Sequence, residues 1–491
     1  MAVRASTAEA FRFTANLTHE AVVAGAVAFF ALCCAVALAV IGYAALLIPF
    51  YALLLVFVVA WPERGAYLVL ALGIAIEPNA IDASKPLSVA LYELPPALKA
   101  LIPITISPLE ILMVLATAMV WFRCAPSPGR QATPRLAMAI PLFVALGFVY
   151  GLQRGGDIKL GYQEARGLIY GTFVFVAAQR LAAGRERQLI IAGLGGIAAL
   201  AVIVLGRYVF ITRAGTSGVP MEMAYAHEDA MFLAIGFVAA LTLLFRARRG
   251  HERLLLLVFE ALVLAALMTT GRRAGTLVLV IGVVGASMFF FRKRPALVVA
   301  LGLPVMLVSF AYLGAYWNKE YGAIAQPARA IRSQIDPNAR DDSSDMYRAT
   351  EKYDVAQTVR MNRVFGIGFG RPFAPFQPLP DLTSFWPLQL YTSHANVLWL
   401  WLKLGVLGAA AVLGLWVLAF GRCVRAFRDG VHREQLPIMP IILACVLLMY
   451  LSYAQVDLAL IGSRSAAVLA GALALALSLP PAEGHGDGHT T

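Results

Sequence analysis

The sequence has few charged residues for its length. Only 14% of its 491 residues are Asp, Glu, Lys or Arg, whereas 60% are hydrophobic. This scarcity excludes a soluble globular protein, because many of the apolar runs are long enough to cross a hydrocarbon core about 30 Å thick. The composition therefore predicts an all-α, polytopic integral membrane protein.

Cysteine is also scarce. The five cysteines lie within apolar runs or beside basic clusters, a distribution that fits neither a disulfide framework nor a zinc site. The glycine-rich stretch GIGFG at 366–370 lacks the strand, the helix and the remaining spacing of a nucleotide site. We therefore expect neither a metal nor a cofactor.

Basic residues outnumber acidic ones by 40 to 28, and they fall mainly in short clusters between apolar runs. Such clusters are typical of the cytoplasmic loops of membrane proteins. We therefore interpret the net charge of +12 as a sign of topology and expect no nucleic acid partner.

The alternation of apolar runs and basic clusters predicts about 14 (about 12 to 14) transmembrane helices, with both termini in the cytoplasm. The predicted regions are a cytoplasmic amino terminus at 1–20, spans one to eleven within 21–316, a large outer loop domain at 317–393, spans twelve to fourteen within 394–480 and a disordered cytoplasmic tail at 481–491. The fifth span is placed at 136–152, the sixth at 167–183 and the eleventh at 295–316. The charged residues 154–166 are assigned to an outer loop.

Arginines on the outer side run against this charge bias and need an explanation. Arg272 and Arg273 lie between spans nine and ten, with no acidic residue near them in the sequence. An unpaired guanidinium at a membrane surface suits a phosphate group, to which it can make two parallel hydrogen bonds. For Arg166 and Arg213, structural pairing is the competing interpretation, and Glu164 is near Arg166.

The large outer loop contains a polar stretch at 341–373 that predicts a helix. Aspartates at 341–345 favour the start of the helix, and Gly366, Gly368 and Gly370 are predicted to end it. Arg348 then lies in the first turns of the helix and Arg360 near its end.

A histidine opens the apolar helix that follows this loop. Thr392 or Ser393 is predicted to cap the helix and to place His394 in its first turn. The positive end of the helix dipole would favour a neutral imidazole that can accept a proton. The alternative is a polar residue at the membrane edge with no chemical role.

Three of these features together resemble the O-antigen ligase and polymerase superfamily. They are Arg273 in an R-x-x-x-L context, Arg348 ahead of the GIGFG turn, and His394 followed by Gly405 and Gly408. Members of this superfamily are multi-span enzymes that transfer glycans from undecaprenyl diphosphate carriers at the periplasmic face of the bacterial inner membrane. The resemblance implies that the outer loop of this chain is periplasmic.

The resemblance also implies site residues and partners. His394 would be the general base, and Arg273 and Arg348 would bind the diphosphate with help from Arg272, in a single displacement without a metal. The carboxylates of Glu222, Glu228 and Asp229 leave a double displacement open. Further candidates for a supporting role are Arg166, Arg213, Glu228, Arg360 and Asn396. The expected partners are an undecaprenyl-diphosphate-linked glycan, an acceptor glycan or lipid, membrane lipids and proteins for chain-length control or export.

Two departures from the superfamily pattern concern the neighbours of the site. Ala395 stands directly after the histidine, where relatives usually have a polar residue, and Asn396 comes one position later. His227 and Glu228 lie in a stretch where many relatives have a proline–asparagine pair.

Several functions remain open at this point. Within the enzyme class, the acceptor distinguishes a polymerase from a ligase and from a protein O-oligosaccharyltransferase. Outside it, a transporter or flippase of lipid-linked saccharide would need charged or broken-helix sites near the bilayer midplane. A scaffold protein of an envelope assembly complex would leave the arginine pair and His394 unexplained.

Overall fold

The computed structural model describes residues 47–78, 84–94, 105–125, 135–181, 185–214, 225–319, 322–384, 386–432 and 437–479. These residues form sixteen α-helices and no strand, as the sequence predicts for an all-α protein. The predicted amino-terminal segment, the first span and the tail at 481–491 lie outside the described residues, as does the side chain of Arg213.

The helices are numbered in chain order. The first eight are α1 (Leu47–Ala60), α2 (Pro62–Ala75), α3 (Lys85–Tyr92), α4 (Pro108–Arg123), α5 (Arg135–Gln153), α6 (Ile158–Leu181), α7 (Glu186–Ala214) and α8 (His227–Leu244). The other eight are α9 (Gly250–Thr270), α10 (Arg273–Lys293), α11 (Pro295–Tyr316), α12 (Gln326–Arg332), α13 (Ala339–Met361), α14 (Asn396–His432), α15 (Ile438–Tyr453) and α16 (Ser463–Ser478).

Seven of these helices are long and apolar enough to cross a membrane, so the chain is a membrane protein. They are α5, α8, α9, α10 and α11, together with most of α7 and α14. Helices α15 and α16 are shorter but equally apolar. The number of about 14 spans, the domain boundaries and the side that each loop faces stay predictions.

The described chain divides into two units. The first ends at Trp61 and contains α1, whose sequence LIPFYALLLVFVVA is apolar throughout. The second begins at Pro62 and contains all the other helices. At its centre lie α8 and α15, most of whose residues are buried, whereas α11 has no buried residue.

Helix α6 begins earlier than the predicted sixth span. Its first turn is capped by Asp157, whose Oδ1 accepts hydrogen bonds from the backbone N–H groups of Lys159 (2.8 Å) and Leu160 (2.9 Å). Glu164 and Arg166 are therefore helical, and their assignment to an outer loop is wrong.

The polar helix of the large loop, α13, is confirmed, but both of its ends differ from the prediction. It begins after Asn338, whose Oδ1 accepts a hydrogen bond from the N–H of Asp341 at 2.8 Å. It ends at Met361, where the side chain of Asn362 donates to the carbonyl oxygen of Thr358 at 3.0 Å. The glycines at 366–370 do not end this helix.

Instead, the glycine segment fits against a break in α14. At Gly405 the backbone has φ 69°, so α14 consists of two helical pieces. The N–H of Val406 donates to the carbonyl of Val364 (3.1 Å), and the N–H of Ile367 donates to the carbonyl of Leu402 (2.7 Å). The segment therefore satisfies backbone groups that the break leaves without helical partners.

A small apolar core fixes α13 beside the first piece of α14. Its buried members are Val355 and Val359 from α13, Ile367 and Phe373 from the glycine segment and its continuation, and Leu402 from α14. This packing brings the middle of α13 next to the polar residues that precede α14.

Candidate active site

His394 lies just before α14 rather than in its first turn. The helix begins at Asn396, and the Oγ of Ser393 accepts a hydrogen bond from the N–H of Ala395 at 3.1 Å. This contact closes a turn ahead of the helix, so Ser393 does not cap α14, and the chain enters the helix two residues after His394. The predicted position within the first turn is therefore wrong.

A buried carboxylate from α13 orients the histidine. Glu351 lies 3.1 and 3.2 Å from Nδ1 of His394 through its two oxygens, and it also accepts the backbone N–H of His394 at 2.9 Å. A carboxylate can only accept, so Nδ1 carries the proton and Nε2 is left with a free lone pair. This is the tautomer that a general base needs.

Two aromatic rings enclose this imidazole. Trp386 and Tyr347 contact His394 edge to face, with ring centroids 5.7 and 6.2 Å away. Burial, reinforced by the charge of Glu351, raises the pKa of Tyr347 to about 12, so its phenol stays neutral. The rings restrict the histidine to one orientation.

Arg273, the first residue of α10, is paired, contrary to the prediction. Its guanidinium makes two hydrogen bonds to the carboxylate of Asp345, at 2.8 and 3.0 Å. The sequence shows no acid near Arg273 because Asp345 lies 72 residues later, on α13. The geometry is the bidentate arrangement that a phosphate could equally occupy.

One cavity of about 520 Å³ contains three of the predicted site residues, Arg273, Arg348 and His394. Its other polar lining residues are Thr276, Gln334, Asp345, Lys352 and Gln455. Within the described part of the chain, neither Arg348 nor Lys352 has a hydrogen-bond or ion-pair partner. The cavity therefore offers two cations that make no direct ion pair, beside His394.

The fourth predicted residue, Arg272, lies outside this cavity. It donates to the backbone carbonyl of Tyr225 at 2.6 Å, and its Nη1 lies 3.3 Å from Nδ1 of His227. That same Nδ1 is 2.8 Å from the carboxylate of Asp457. Arg272 thus belongs to a neighbouring group of charged residues.

Asp457 lies in the turn between α15 and α16 and is almost completely buried. Burial alone raises the pKa of a carboxyl, but the charge and the hydrogen bond of His227, with the charge of Arg348, outweigh this effect. They hold the pKa of Asp457 below its ordinary value. Asp457 is therefore an ionised partner for the histidine.

Comparison with known protein families concerns the same part of the chain. Residues 258–413 match the family model described as Wzy_C, O-antigen ligase. The segment belongs to the O-antigen ligase/polymerase superfamily. It contains α10 to α13 and the first piece of α14, and therefore Arg273, Arg348, Glu351 and His394. No curated protein sequence matches the chain. The family match supports O-antigen ligase-type glycan transfer in a membrane protein.

Two of the supporting candidates lie within the O-antigen ligase segment but outside the cavity. Arg360 is exposed, and its Nη1 donates to Gln357 at 3.4 Å. Asn396 donates to the carbonyl of Ser393 (2.6 Å) and accepts from the N–H of Leu460 (2.7 Å). Asn396 thus holds the turn around His394 in place without lining the cavity.

The other candidates precede the O-antigen ligase segment. Arg166 pairs with Glu110 through two contacts of 2.9 Å, so the predicted pairing with Glu164 is wrong. Glu164 instead pairs with Lys403. Glu228 faces Gly462, where an added Cβ would lie 2.8 Å from its Oε1. None of these residues lines the cavity.

Sequence reasoning missed Glu351, Asp345 and the His227–Asp457 pair. A signal for part of this set was present, because Asp345, Arg348 and Lys352 follow helical spacing and line one cavity. Glu351 and Asp457 are buried carboxylates whose histidine partners are distant in the chain, and no local pattern pairs them.

Proposed function

We propose that the protein transfers or polymerises a glycan linked to undecaprenyl diphosphate, at the periplasmic face of the bacterial inner membrane, during biosynthesis of a surface or exported polysaccharide. The observation that carries this proposal is the single cavity that contains a carboxylate-oriented histidine, the unpaired Arg348 and the exchangeable Arg273. This set provides one base and two phosphate ligands.

The apolar part of the cavity supports a lipid-linked donor. Leu277 and Val280 of α10 and Ile335, just beyond α12, line the cavity and are 47%, 50% and 73% exposed. Leu277 and Val280 lie on a helix long and apolar enough to span the membrane. A polyprenyl chain could therefore pass along α10 while its diphosphate lies at Arg273 and Arg348.

In the proposed reaction, an acceptor hydroxyl attacks the anomeric carbon of the donor sugar. The bond from this carbon to the phosphate oxygen breaks, and its electron pair leaves with the diphosphate. Nε2 of His394 takes the hydroxyl proton, and Glu351 stabilises the resulting imidazolium. Single displacement inverts the anomeric carbon.

The two arginines have different tasks in this scheme. Arg348 is free to bind the diphosphate directly, whereas Arg273 exchanges the carboxylate of Asp345 for a phosphate. Both then stabilise the negative charge that grows on the leaving group, the kind of effect for which one donor is worth about 10²–10³ in rate.

The test uses a strain that lacks the protein, complemented with wild type, His394→Ala, Arg273→Ala or Arg360→Ala at matched abundance in the membrane. Surface and lipid-linked glycans are separated by gel and identified by mass spectrometry. We expect His394→Ala and Arg273→Ala to lose the product. Arg360→Ala, which alters an exposed residue near the end of α13, should retain it.

The accumulated material identifies the acceptor class. Single repeats left on the carrier indicate a polymerase, long carrier-linked chains indicate a ligase, and loss of glycosylated protein indicates an O-oligosaccharyltransferase. Normal glycan with both site variants would overturn the catalytic assignment and would direct attention to transport of the lipid-linked saccharide.

A further inference from the structure

The site contains a second histidine–carboxylate pair beside the first. His227, the first residue of α8, contacts Asp457 through Nδ1 at 2.8 Å, as His394 contacts Glu351 at 3.1 Å. The centroids of the two imidazole rings are 6.5 Å apart. Both histidines are therefore held in place by an acid on one side and face the same small region of the protein.

His227 is separate from the proposed donor site. It is not among the residues that line the 520 Å³ cavity with Arg273 and Arg348, and 38% of its side chain is exposed. His394 lies between the two, because it lines the cavity and also contacts the ring of His227. His394 thus borders both the donor cavity and His227.

The hydrogen bonds of His227 leave one nitrogen for a ligand. Asp457 is an acceptor, so Nδ1 of His227 carries the donated proton and cannot also accept one from Arg272. Arg272 has its own acceptor in the carbonyl of Tyr225. Nε2 of His227 has no partner among the described residues.

We propose that His227 is an acceptor-binding residue, whose Nε2 makes a hydrogen bond to a hydroxyl of the acceptor sugar and so directs a neighbouring hydroxyl to His394. The inference rests on the proposed function and adds its second substrate. A hydroxyl group can both donate and accept, so it can pair with Nε2 whether this nitrogen is protonated or not. His227 takes up no proton in the reaction.

Asp457 acts through His227 as a positioning residue. It is held from a second direction by the hydroxyl of Tyr453, 3.1 Å from its Oδ2, and its own Oδ1 accepts the N–H of Leu458 at 2.8 Å. The same hydroxyl shares its one proton with the backbone carbonyl of His227, which also lies within hydrogen-bond distance. The ring of His227 is therefore oriented before any substrate binds, which is what precise binding of a hydroxyl requires.

The test measures separate KM values for donor and acceptor with the full-length protein in nanodiscs. The donor is carrier-linked glycan extracted from a strain that lacks the protein. The acceptor is short-chain carrier-linked glycan or lipopolysaccharide from the same strain, whichever the wild type extends. The variants are His227→Ala, His227→Asn and His227→Gln, with His251→Asn as a control at an exposed histidine of α9.

The three substitutions separate binding of the acceptor at Nε2 from the contact of Nδ1 with Asp457. Asparagine keeps a donor near the position of Nδ1 for Asp457 but has no group at Nε2, whereas glutamine places its amide near Nε2. We expect the Ala and Asn variants to raise the acceptor KM about tenfold and the Gln variant to raise it less, as loss of one hydrogen bond would do. The donor KM should keep its wild-type value.

Two results would overturn this inference while leaving the proposed function intact. One is a wild-type acceptor KM in His227→Asn. This result would mean that the histidine only holds Asp457 through Nδ1 and does not bind the acceptor. The other is a donor KM that rises as much as the acceptor KM. If the wild-type protein transfers no glycan under conditions in which the complemented strain makes product, the proposed function itself fails.

Discussion

Ionic groups occur in two contrasting settings in this protein. Between the helices, Glu164 and Lys403 are both inaccessible to solvent and paired with each other, and Lys403 also donates to the carbonyl of Arg371 at 2.6 Å. In the cavity, Arg348 and Lys352 have no partner within the described residues. The same chain thus leaves some of its charges paired and others free.

The difference follows from solvation. A charge that is buried away from water requires a partner, because its desolvation cost is several kcal/mol. A charge that lines an accessible cavity keeps water until a ligand replaces it. The ions that hold helices together are therefore paired, whereas those available to a substrate have no partner.

The largest effect is expected from breaking the buried pair. Glu164→Gln leaves the ammonium of Lys403 without its counter-ion in a fully buried position. We expect a loss of about 3–5 kcal/mol in folding free energy, measured as thermal unfolding and as abundance in the membrane. The double variant Glu164→Leu/Lys403→Met should recover most of this loss. Normal stability of Glu164→Gln would show that the pair contributes little.

Removal of a free cation should give the opposite result. Arg348→Ala is expected to lower transfer about 10²–10³-fold through lost stabilisation of the leaving diphosphate, with an unchanged unfolding temperature. Arg360→Ala, at the exposed end of the same helix, provides the matched control. If Arg348→Ala unfolds the protein, the free cation is structural and the distinction drawn above fails.

An intermediate effect is expected at the close contact between the glycine segment and α5. Gly368 has φ 79°, and an added Cβ would lie 2.5 Å from the Cα of Gly151. We expect Gly368→Ala to destabilise the protein by about 1–3 kcal/mol and to lower activity through displacement of α13. Gly193→Ala, where an added Cβ meets nothing within 4 Å, should leave both unchanged. Equal behaviour of the two variants would contradict a close docking of the glycine segment.

The sequence predicted the apolar helices well, because their length and composition are local properties. The predicted spans 136–152 and 295–316 correspond to helices Arg135–Gln153 and Pro295–Tyr316. The start of a helix was less predictable where it depends on a single capping side chain. Asp157 and Asn338 are such caps. Charge patterns alone could not distinguish a capping aspartate from a loop residue.

The site was predictable only to the extent that its residues stand in recognisable stretches. Arg273, Arg348 and His394 were found in this way, and the structure brings them to one cavity. The carboxylate partners of His394 and Arg273 were missed because Glu351 and Asp345 lie 43 and 72 residues away from them in the sequence. Such pairs depend on how α13 packs, which no single stretch of sequence specifies.

The smallest expected effect concerns the one cavity cation that is already paired. Asp345 occupies the position on Arg273 that the diphosphate would take, and its side chain is 44% exposed, so the pair is worth only about 0.2–1 kcal/mol. Asp345→Asn removes this competition, and we expect a donor KM up to about fivefold lower with little change in stability. Donor titration at saturating acceptor measures this, with Asp342→Asn, an exposed acid of the same helix, as control. A higher donor KM would mean that Asp345 orients Arg273 for the phosphate instead of competing with it.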